Sequence, residues 1–149
     1  MKSKFVKAVI IYWLPLILYM SFIFYLSSLP NPVKTLAPKG LYVFYLDLPR
    51  IIYHIIEYGV LSLLFFRALK DISKHSQLSS ILFSALYGIS DEFHQSIVPG
   101  RIPSTNDVLI DIFGAVAMQS IINIYYYYLK AGKIKKTKGL IKFSKDNTI

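Results

Sequence analysis

Three ionisable side chains, Asp91, Glu92 and His94, stand in a run of residues that is otherwise apolar enough to enter a lipid bilayer. Burying an ionisable group in hydrocarbon is costly, so a chain that keeps three of them there uses them. Two carboxylates held close together can share a proton and act as general acid and base. Together with histidine they can also ligate a divalent metal.

Four apolar runs must position these side chains: 8–29, 51–69, 78–98 and 108–129. Each has the roughly 20 residues that a helix needs to cross the hydrocarbon core. Backbone in lipid must satisfy its own hydrogen bonds, so all four are predicted to be helices. Only 17% of the residues are charged, against about 25% in soluble domains. The sequence therefore predicts an all-α integral membrane bundle of four transmembrane helices in a domain of residues 1–130, followed by a basic tail of residues 131–149.

Lys and Arg are distributed unevenly between the two sides of such a bundle. Of the 17, four fall on one side (Lys34, Lys39, Arg50 and Arg101), and the other 13 fall on the side that holds both termini. The positive-inside rule then predicts that both termini are cytoplasmic. The loop 30–50 would face outward, with its short apolar segment 41–46 in the outer interface. The basic C-terminal end suits anionic lipid and does not indicate nucleic-acid binding.

This topology places the ionisable residues of three predicted helices at one depth, in the outer leaflet. Asp91 and Glu92 lie near a helix C-terminus, where the helix dipole disfavours carboxylates. We therefore expect Arg50 and Arg101 to compensate them. The candidate outer-leaflet polar site consists of Arg50, His54, Glu57, Tyr58, Asp91, Glu92, His94, Gln95, Arg101, Asp107 and Asp111.

Several of these residues also have a structural interpretation. Ser104-x-x-Asp107 matches a capping box, so Asp107 could simply begin the fourth helix. Pro99-Gly100 is a turn signal, and Tyr58 could be a packed aromatic residue. A polar network that only ties three helices together would need no ligand at all.

The motif resembles the VanZ-like family of small membrane proteins, which is named after a teicoplanin-resistance accessory protein. The resemblance covers about residues 47 to 120 and is carried by Arg50-x3-His54-x3-Tyr58, then Ser90-Asp91-Glu92-x2-Gln95-x3-Pro99-Gly100-Arg101-x2-Ser104-x2-Asp107, then Gly114. Two positions differ from the family pattern, because Arg50 stands where lysine is usual and Asp111 where asparagine is common. The resemblance implies a multi-pass protein of the bacterial plasma membrane, linked to glycopeptide susceptibility or envelope physiology, and it implies no settled reaction.

Two classes of function follow. In the first, the outer-leaflet site binds an amphiphile, either a lipid-linked wall precursor or a lipoglycopeptide, and Arg50 and Arg101 hold its phosphate or carboxylate. The alternative is an intramembrane enzyme, dependent on a metal or on carboxylates, that acts on a lipid-linked envelope substrate. The chain has no cysteine and no recognised catalytic signature, so the catalytic residues, the metal and any cofactor are left open. Ion or proton transport is less favoured, because the acids all lie in the outer half of the bundle.

Overall fold

The computed structural model describes residues 6–7, 9–30 and 47–146, with side chains described for 6–7, 9–30 and 48–132. A π-helical turn, Val9–Trp13, leads into helix α1 (Leu14–Ser27). Helices α2 (Asp47–Leu69), α3 (Ser76–Gln95) and α4 (Thr105–Asp146) follow. The described residues contain no strand, so the all-α prediction is confirmed for them. The segment 41–46, expected at the outer interface, lies outside the described residues.

Proline occurs where a helix tolerates it. Pro15 lies in the first turn of α1, just after the π-helical turn. Pro49 lies in the first turn of α2, where the backbone N–H that proline lacks would have no intrahelical partner. The π-helical turn immediately precedes Pro15, whose ring would otherwise meet the carbonyl of Ile11 one turn earlier. Prolines thus mark the starts of two helices.

Helices α1, α2 and α3 alternate in direction. The ring of Tyr12, just before α1, lies 5.9 Å from the guanidinium carbon of Arg67 near the end of α2, so these two helices are antiparallel. A short turn, 70–75, joins α2 to the antiparallel α3. Helices α1 and α3 are then parallel, and the Tyr87 hydroxyl donates a hydrogen bond of 2.5 Å to the Met20 carbonyl.

Helix α4 contacts α2 in parallel with a constant register. Three polar pairs share an offset of 57 residues: Arg50 with Asp107, His54 with Asp111, and Ser62 with Gln119. Residues spaced by four and eight positions lie on one helical face, so a single face of each helix makes these contacts. Between them, Gly114 packs directly on the backbone of Ile55, where an added Cβ would lie 2.5 Å from the Ile55 carbonyl oxygen. A small residue at this point lets the two backbones approach closely.

The bundle is apolar outside and partly polar inside. On α3 the large side chains Leu82, Leu86 and Phe93 are more than half exposed, whereas Ser80 and Ser84 are fully buried. In water this arrangement would leave a large apolar surface uncovered. In lipid, apolar side chains face the acyl chains while small and polar residues pack helix against helix.

Three segments are helices long and apolar enough to cross a membrane: Val9–Ser27, Leu48–Leu69 and Thr105–Gly132. They correspond to the first, second and fourth predicted spans. The predicted span 78–98 corresponds to α3, which ends at Gln95 and is not among the three. The polar residues on its buried face lower its mean hydropathy, which explains the difference. The four-span topology and the cytoplasmic termini stay predictions.

The chain divides into two units, Met1–Gln119 and Ser120–Ile149. All the helix–helix contacts given above lie in the first unit. In the second, four consecutive tyrosines, Tyr125–Tyr128, have exposed side chains, and their rings meet edge to face in neighbouring pairs.

Candidate functional site

A cavity of about 440 Å³ lies where α1 and α3 end and α2 begins. Its apolar wall comes mainly from α1, with Ile23 and Leu26. Its polar lining comes from all three helices and the connection after α3: Ser27, Tyr53, His54, Glu57, Asp91, Gln95 and Arg101. Five of the eleven predicted site residues therefore line one cavity.

Two buried carboxylates line this cavity, each 7% exposed. Tyr53 donates its hydroxyl hydrogen to Glu57 Oε1 at 2.7 Å. Gln95 Nε2 donates to Asp91 Oδ2 at 2.8 Å. The other oxygen, Asp91 Oδ1, is buried without a hydrogen-bond partner among the described residues. Each carboxylate is thus oriented by a neutral donor and keeps capacity to accept further hydrogen bonds.

His54 is held from behind by Asp111. Nδ1 of His54 lies 2.8 Å from Oδ1 of Asp111, whose side chain is 1% exposed. With Asp111 ionised, its carboxylate can only accept hydrogen bonds, so Nδ1 of His54 then carries the hydrogen and Nε2 is the free ring nitrogen. Gly88 makes room for the pair, because a Cβ there would lie 3.1 Å from Asp111 Oδ2. A histidine fixed in one tautomer beside a cavity can act as a hydrogen-bond acceptor or as a base.

The expectation that Arg101 compensates Asp91 and Glu92 is wrong. Its Nε donates to the Leu29 carbonyl at 3.0 Å and its Nη2 to the Leu26 carbonyl at 2.8 Å. The last carbonyls of a helix lack intrahelical partners, and the helix dipole attracts a cation there. Arg101 therefore closes the end of α1 while it also lines the cavity.

A tight turn aims Arg101 at that helix end. The Arg101 N–H donates to the Val98 carbonyl at 3.1 Å, and the intervening Gly100 has φ 78°. Proline followed by a residue of positive φ is the pattern of a type II turn, which favours glycine at its third position. Pro99-Gly100 is thus a turn, as the sequence indicates. The turn directs the Arg101 side chain toward the end of α1.

Arg50 likewise pairs with a different acid from the two expected. It forms an ion pair with Asp107 at the start of α4, with 34% of the Arg50 side chain and 7% of the Asp107 side chain exposed. A separate, smaller cavity of about 160 Å³ lies beside this pair. The pair joins α2 to α4 and does not line the larger cavity.

Glu92 serves the start of α4. Its Oε2 accepts the Ser104 backbone N–H at 2.6 Å. In a capping box that N–H would be taken by the carboxylate three residues on, which here is Asp107, but Asp107 is held by Arg50. The adjacent acids of the motif therefore have separate roles, because Asp91 faces the cavity and Glu92 anchors another helix.

This anchoring role predicts unequal effects of two substitutions. Glu92→Ala should lower the free energy of unfolding by about 0.5–2 kcal/mol, as for other lost caps, because the Ser104 N–H loses its acceptor. Glu92→Gln should have a much smaller effect, since its amide oxygen can still accept. Thermal unfolding in detergent, followed by helical circular dichroism, measures both. Equal destabilisation by the two variants would show that the charge matters and the hydrogen bond does not.

Two further predicted site residues lie outside the cavity lining. The ring of His94 stacks on Phe24 with centroids 4.3 Å apart, and its Nε2 lies 2.9 Å from Ser28 Oγ. Because the Ser28 hydroxyl donates to the Phe24 carbonyl at 2.7 Å, Nε2 is the donor to Ser28. Tyr58 is completely buried. Both residues pack helices together.

Sequence reasoning missed three residues of the site. Tyr53 could have been found from its spacing, because it lies one helical turn before Glu57 and its hydroxyl can reach that carboxylate. No sequence pattern marks Gly88 or Ser27, because their roles depend on which helix packs against them.

No metal centre is evident in the part of the chain that the structure describes. There, no group of three or more His, Asp or Glu side chains is placed to hold a metal ion. His54, Glu57 and Asp91 line the same cavity without forming such a group. The arrangement is suited to accepting hydrogen bonds and to proton transfer.

The family comparison covers the whole site. A family model described as VanZ/LLP1 matches residues 9–126, which include all the candidate residues. The chain belongs to the VanZ/LLP1 family. The VanZ-like assignment made from the motif is thereby confirmed. No curated protein and no solved structure matches the chain.

In this VanZ/LLP1 membrane protein the motif residues divide by what they contact. One group lines the cavity: His54, Asp91, Gln95 and Arg101. A second group holds the start of α4 against neighbouring helices: Arg50, Glu92 and Asp107. Tyr58 and Gly114 form close packing between α2 and its neighbours.

Proposed function

We propose that this VanZ/LLP1 protein is a multi-pass protein of the bacterial plasma membrane that binds the polar head of an outer-leaflet amphiphile and so lowers susceptibility to glycopeptide antibiotics such as teicoplanin. The observation that carries the proposal is the cavity of about 440 Å³, lined by the buried carboxylates Glu57 and Asp91. Many large apolar side chains of the described helices are exposed. Ionisable groups buried in a membrane segment are costly and mark functional sites.

The placement of the cavity supports an outer-leaflet site. The cavity lies at the ends of α1 and α3, away from the turn 70–75 that carries Lys70 and Lys74. The positive-inside rule assigns that basic turn to the cytoplasm. The apolar outer stripe of α3 supports a fourth crossing helix, because such a stripe suits lipid and not water.

The proposed ligand is a lipid-linked wall precursor or a lipoglycopeptide. Both combine a hydrocarbon chain with a large polar head, which suits a polar cavity beside an apolar helix surface. Binding of a phosphate by the two arginines has little support, because Arg50 pairs with Asp107 and Arg101 is bound to two carbonyls. The carboxylates, amide and imidazole of the cavity are the groups available for recognition.

Asp91→Asn tests the proposal, because it keeps the shape of the side chain and removes a charge from the cavity. Wild-type protein should raise the teicoplanin concentration that inhibits growth of a susceptible host, and Asp91→Asn should lose most of that effect. Purified wild type should also bind teicoplanin or a lipid-linked wall precursor about tenfold more tightly than Asp91→Asn, since a hydrogen bond to a charged group contributes about 1.5–3 kcal/mol.

Asp71→Asn is the matched control. Asp71 is an exposed carboxylate in the turn between α2 and α3, so its substitution changes the net charge equally without touching the cavity. Expression and membrane insertion of each variant are measured in the same cells. If wild type binds neither probe, and the Asp91 and Asp71 variants behave alike in the susceptibility assay, the proposal is wrong.

The intramembrane enzyme is a second candidate that one observation favours. The 2.8 Å contact between His54 Nδ1 and Asp111 Oδ1 leaves Nε2 as the free nitrogen of a residue that lines the cavity. A histidine oriented by a carboxylate is a common general base. Under this candidate, changing the pair would abolish function while the cavity still binds its ligand.

A further inference from the structure

Part of the hydrogen-bonding capacity of the cavity is used within the protein, and part is left for a ligand. Tyr53 donates to Glu57 and Gln95 donates to Asp91. Two of the five N–H groups of Arg101 donate to the Leu26 and Leu29 carbonyls at the end of α1. On the acceptor side, Asp91 Oδ1 has no partner among the described residues. A ligand group that supplies hydrogen-bond donors would complement this carboxylate oxygen.

Two side chains at the cavity are both nine-tenths buried and unpartnered. Asp91 is 7% exposed and Ser27 is 5% exposed. Within the described ranges, Asp91 Oδ1 and Ser27 Oγ have no hydrogen-bond partner, and both residues line the cavity. Buried polar atoms are almost always paired. Six side-chain atoms of the described residues are not, and Ser27 Oγ and Asp91 Oδ1 are the two whose residues line this cavity, where a ligand group could pair with them.

The charged side chains of the lining are also unbalanced, because negative charges outnumber positive ones. Glu57 and Asp91 face a single guanidinium, that of Arg101. Among the described residues neither carboxylate is in an ion pair, because Arg50 is held by Asp107 and His54 by Asp111. An unpaired carboxylate in a low-dielectric site is strongly unfavourable, and a cationic ligand would remove that penalty.

We propose that the cavity recognises a primary ammonium group on the head of its amphiphile, with Glu57 and Asp91 as counter-ions and Asp91 Oδ1 and Ser27 Oγ as hydrogen-bond partners. A primary ammonium has three donors and no acceptor, which matches the two carboxylates and the unpartnered oxygens of this lining. This inference rests on the proposed function, because it names the chemical class that the same site takes.

Four amphiphiles with one hydrocarbon chain test this chemistry in the purified full-length protein in non-ionic detergent: dodecylamine, dodecyltrimethylammonium, dodecyl phosphate and dodecanol. Calorimetric titration should show dodecylamine binding about tenfold or more tightly than dodecanol or dodecyl phosphate, because charge-assisted hydrogen bonds are the strong ones. Dodecyltrimethylammonium carries the charge without N–H donors and should bind more weakly than dodecylamine.

Substitutions in the cavity test whether the preference for dodecylamine arises there. Asp91→Asn and Glu57→Gln should each reduce dodecylamine affinity about tenfold, and Asp71→Asn should leave it unchanged. If one cavity variant fails to fold, the other variant and the selectivity of the wild-type protein still test the inference. Equal or tighter binding of dodecyl phosphate by wild type would overturn the inference. So would displacement of dodecylamine by magnesium or sodium chloride at matched ionic strength, which would indicate an inorganic cation site.

The two proposals fail in different ways. Binding of wall precursor or teicoplanin that depends on Asp91, with no preference for dodecylamine, would keep the proposed function and remove the ammonium assignment. If the protein prefers dodecylamine but does not change glycopeptide susceptibility, the ammonium assignment stands and the proposed role in glycopeptide susceptibility is wrong.

Discussion

Replacing Gly114 with alanine is expected to lower the free energy of unfolding by about 1–3 kcal/mol, the usual range for overpacking a tight site. The added Cβ would lie 2.5 Å from the Ile55 carbonyl oxygen and 2.9 Å from its Cα. These are backbone atoms, so no side chain can rotate away, and α4 must move from α2. That movement would also stretch the His54–Asp111 and Arg50–Asp107 contacts, which lie in the turns before Gly114. Thermal unfolding in detergent measures the stability, and ligand binding measures the effect on the cavity.

Two other glycines provide graded controls for this substitution. An added Cβ at Gly59 would lie 3.4 Å from its nearest neighbour, the Gly114 carbonyl oxygen, so Gly59→Ala should have a smaller effect. At Gly132 a Cβ would meet nothing within 4 Å, and Gly132→Ala should be neutral or stabilising by up to about 1 kcal/mol from helix propensity. Equal stability of the Gly114 and Gly132 variants would mean that the two backbones do not need to approach this closely.

The helices themselves could be predicted from the sequence, because a continuous apolar run leaves the backbone few alternatives in lipid. The first, second and fourth runs match helices that are apolar enough to cross a membrane. Helix α3 is the instructive case. Its outward side chains are as apolar as those of the other helices, but Asp91, Glu92 and Gln95 are turned inward and are counted in the same mean hydropathy.

The polar residues of the site could be found from the sequence, but their partners could not. Positive and negative residues near one end of a bundle suggest ion pairs, and the sequence accordingly paired Arg101 with Asp91 and Glu92. The actual partners of Arg101 are the backbone carbonyls of Leu26 and Leu29, at and just beyond the end of α1. A backbone carbonyl is available to a side chain because it lies at a helix end. The amino-acid type of its residue does not reveal that position. The same holds for Glu92, whose partner is a backbone N–H.

Breaking the pair of His54 and Asp111 is expected to be the most damaging change to the cavity wall. Asp111→Ala should lower the free energy of unfolding by about 3 kcal/mol or more, as expected when one partner of a buried pair is removed. Its side chain is 1% exposed, so solvent cannot replace it. A double-mutant cycle with His54→Ala isolates the pairwise contribution, which should be about 0.5–3 kcal/mol. A coupling near zero would mean that the 2.8 Å contact does not stabilise the fold.

Asp111→Asn separates binding from catalysis. The asparagine Oδ1 can still accept the hydrogen of His54 Nδ1, so the fold and the orientation of the ring should survive. The charge that would stabilise a protonated imidazole is lost, and a general base needs that charge while a binding residue does not. If the protein only binds its amphiphile, Asp111→Asn should keep both head-group affinity and the effect on teicoplanin susceptibility. Loss of the susceptibility effect at unchanged affinity and stability would instead identify His54 as a base, and the cavity as the active site of an enzyme.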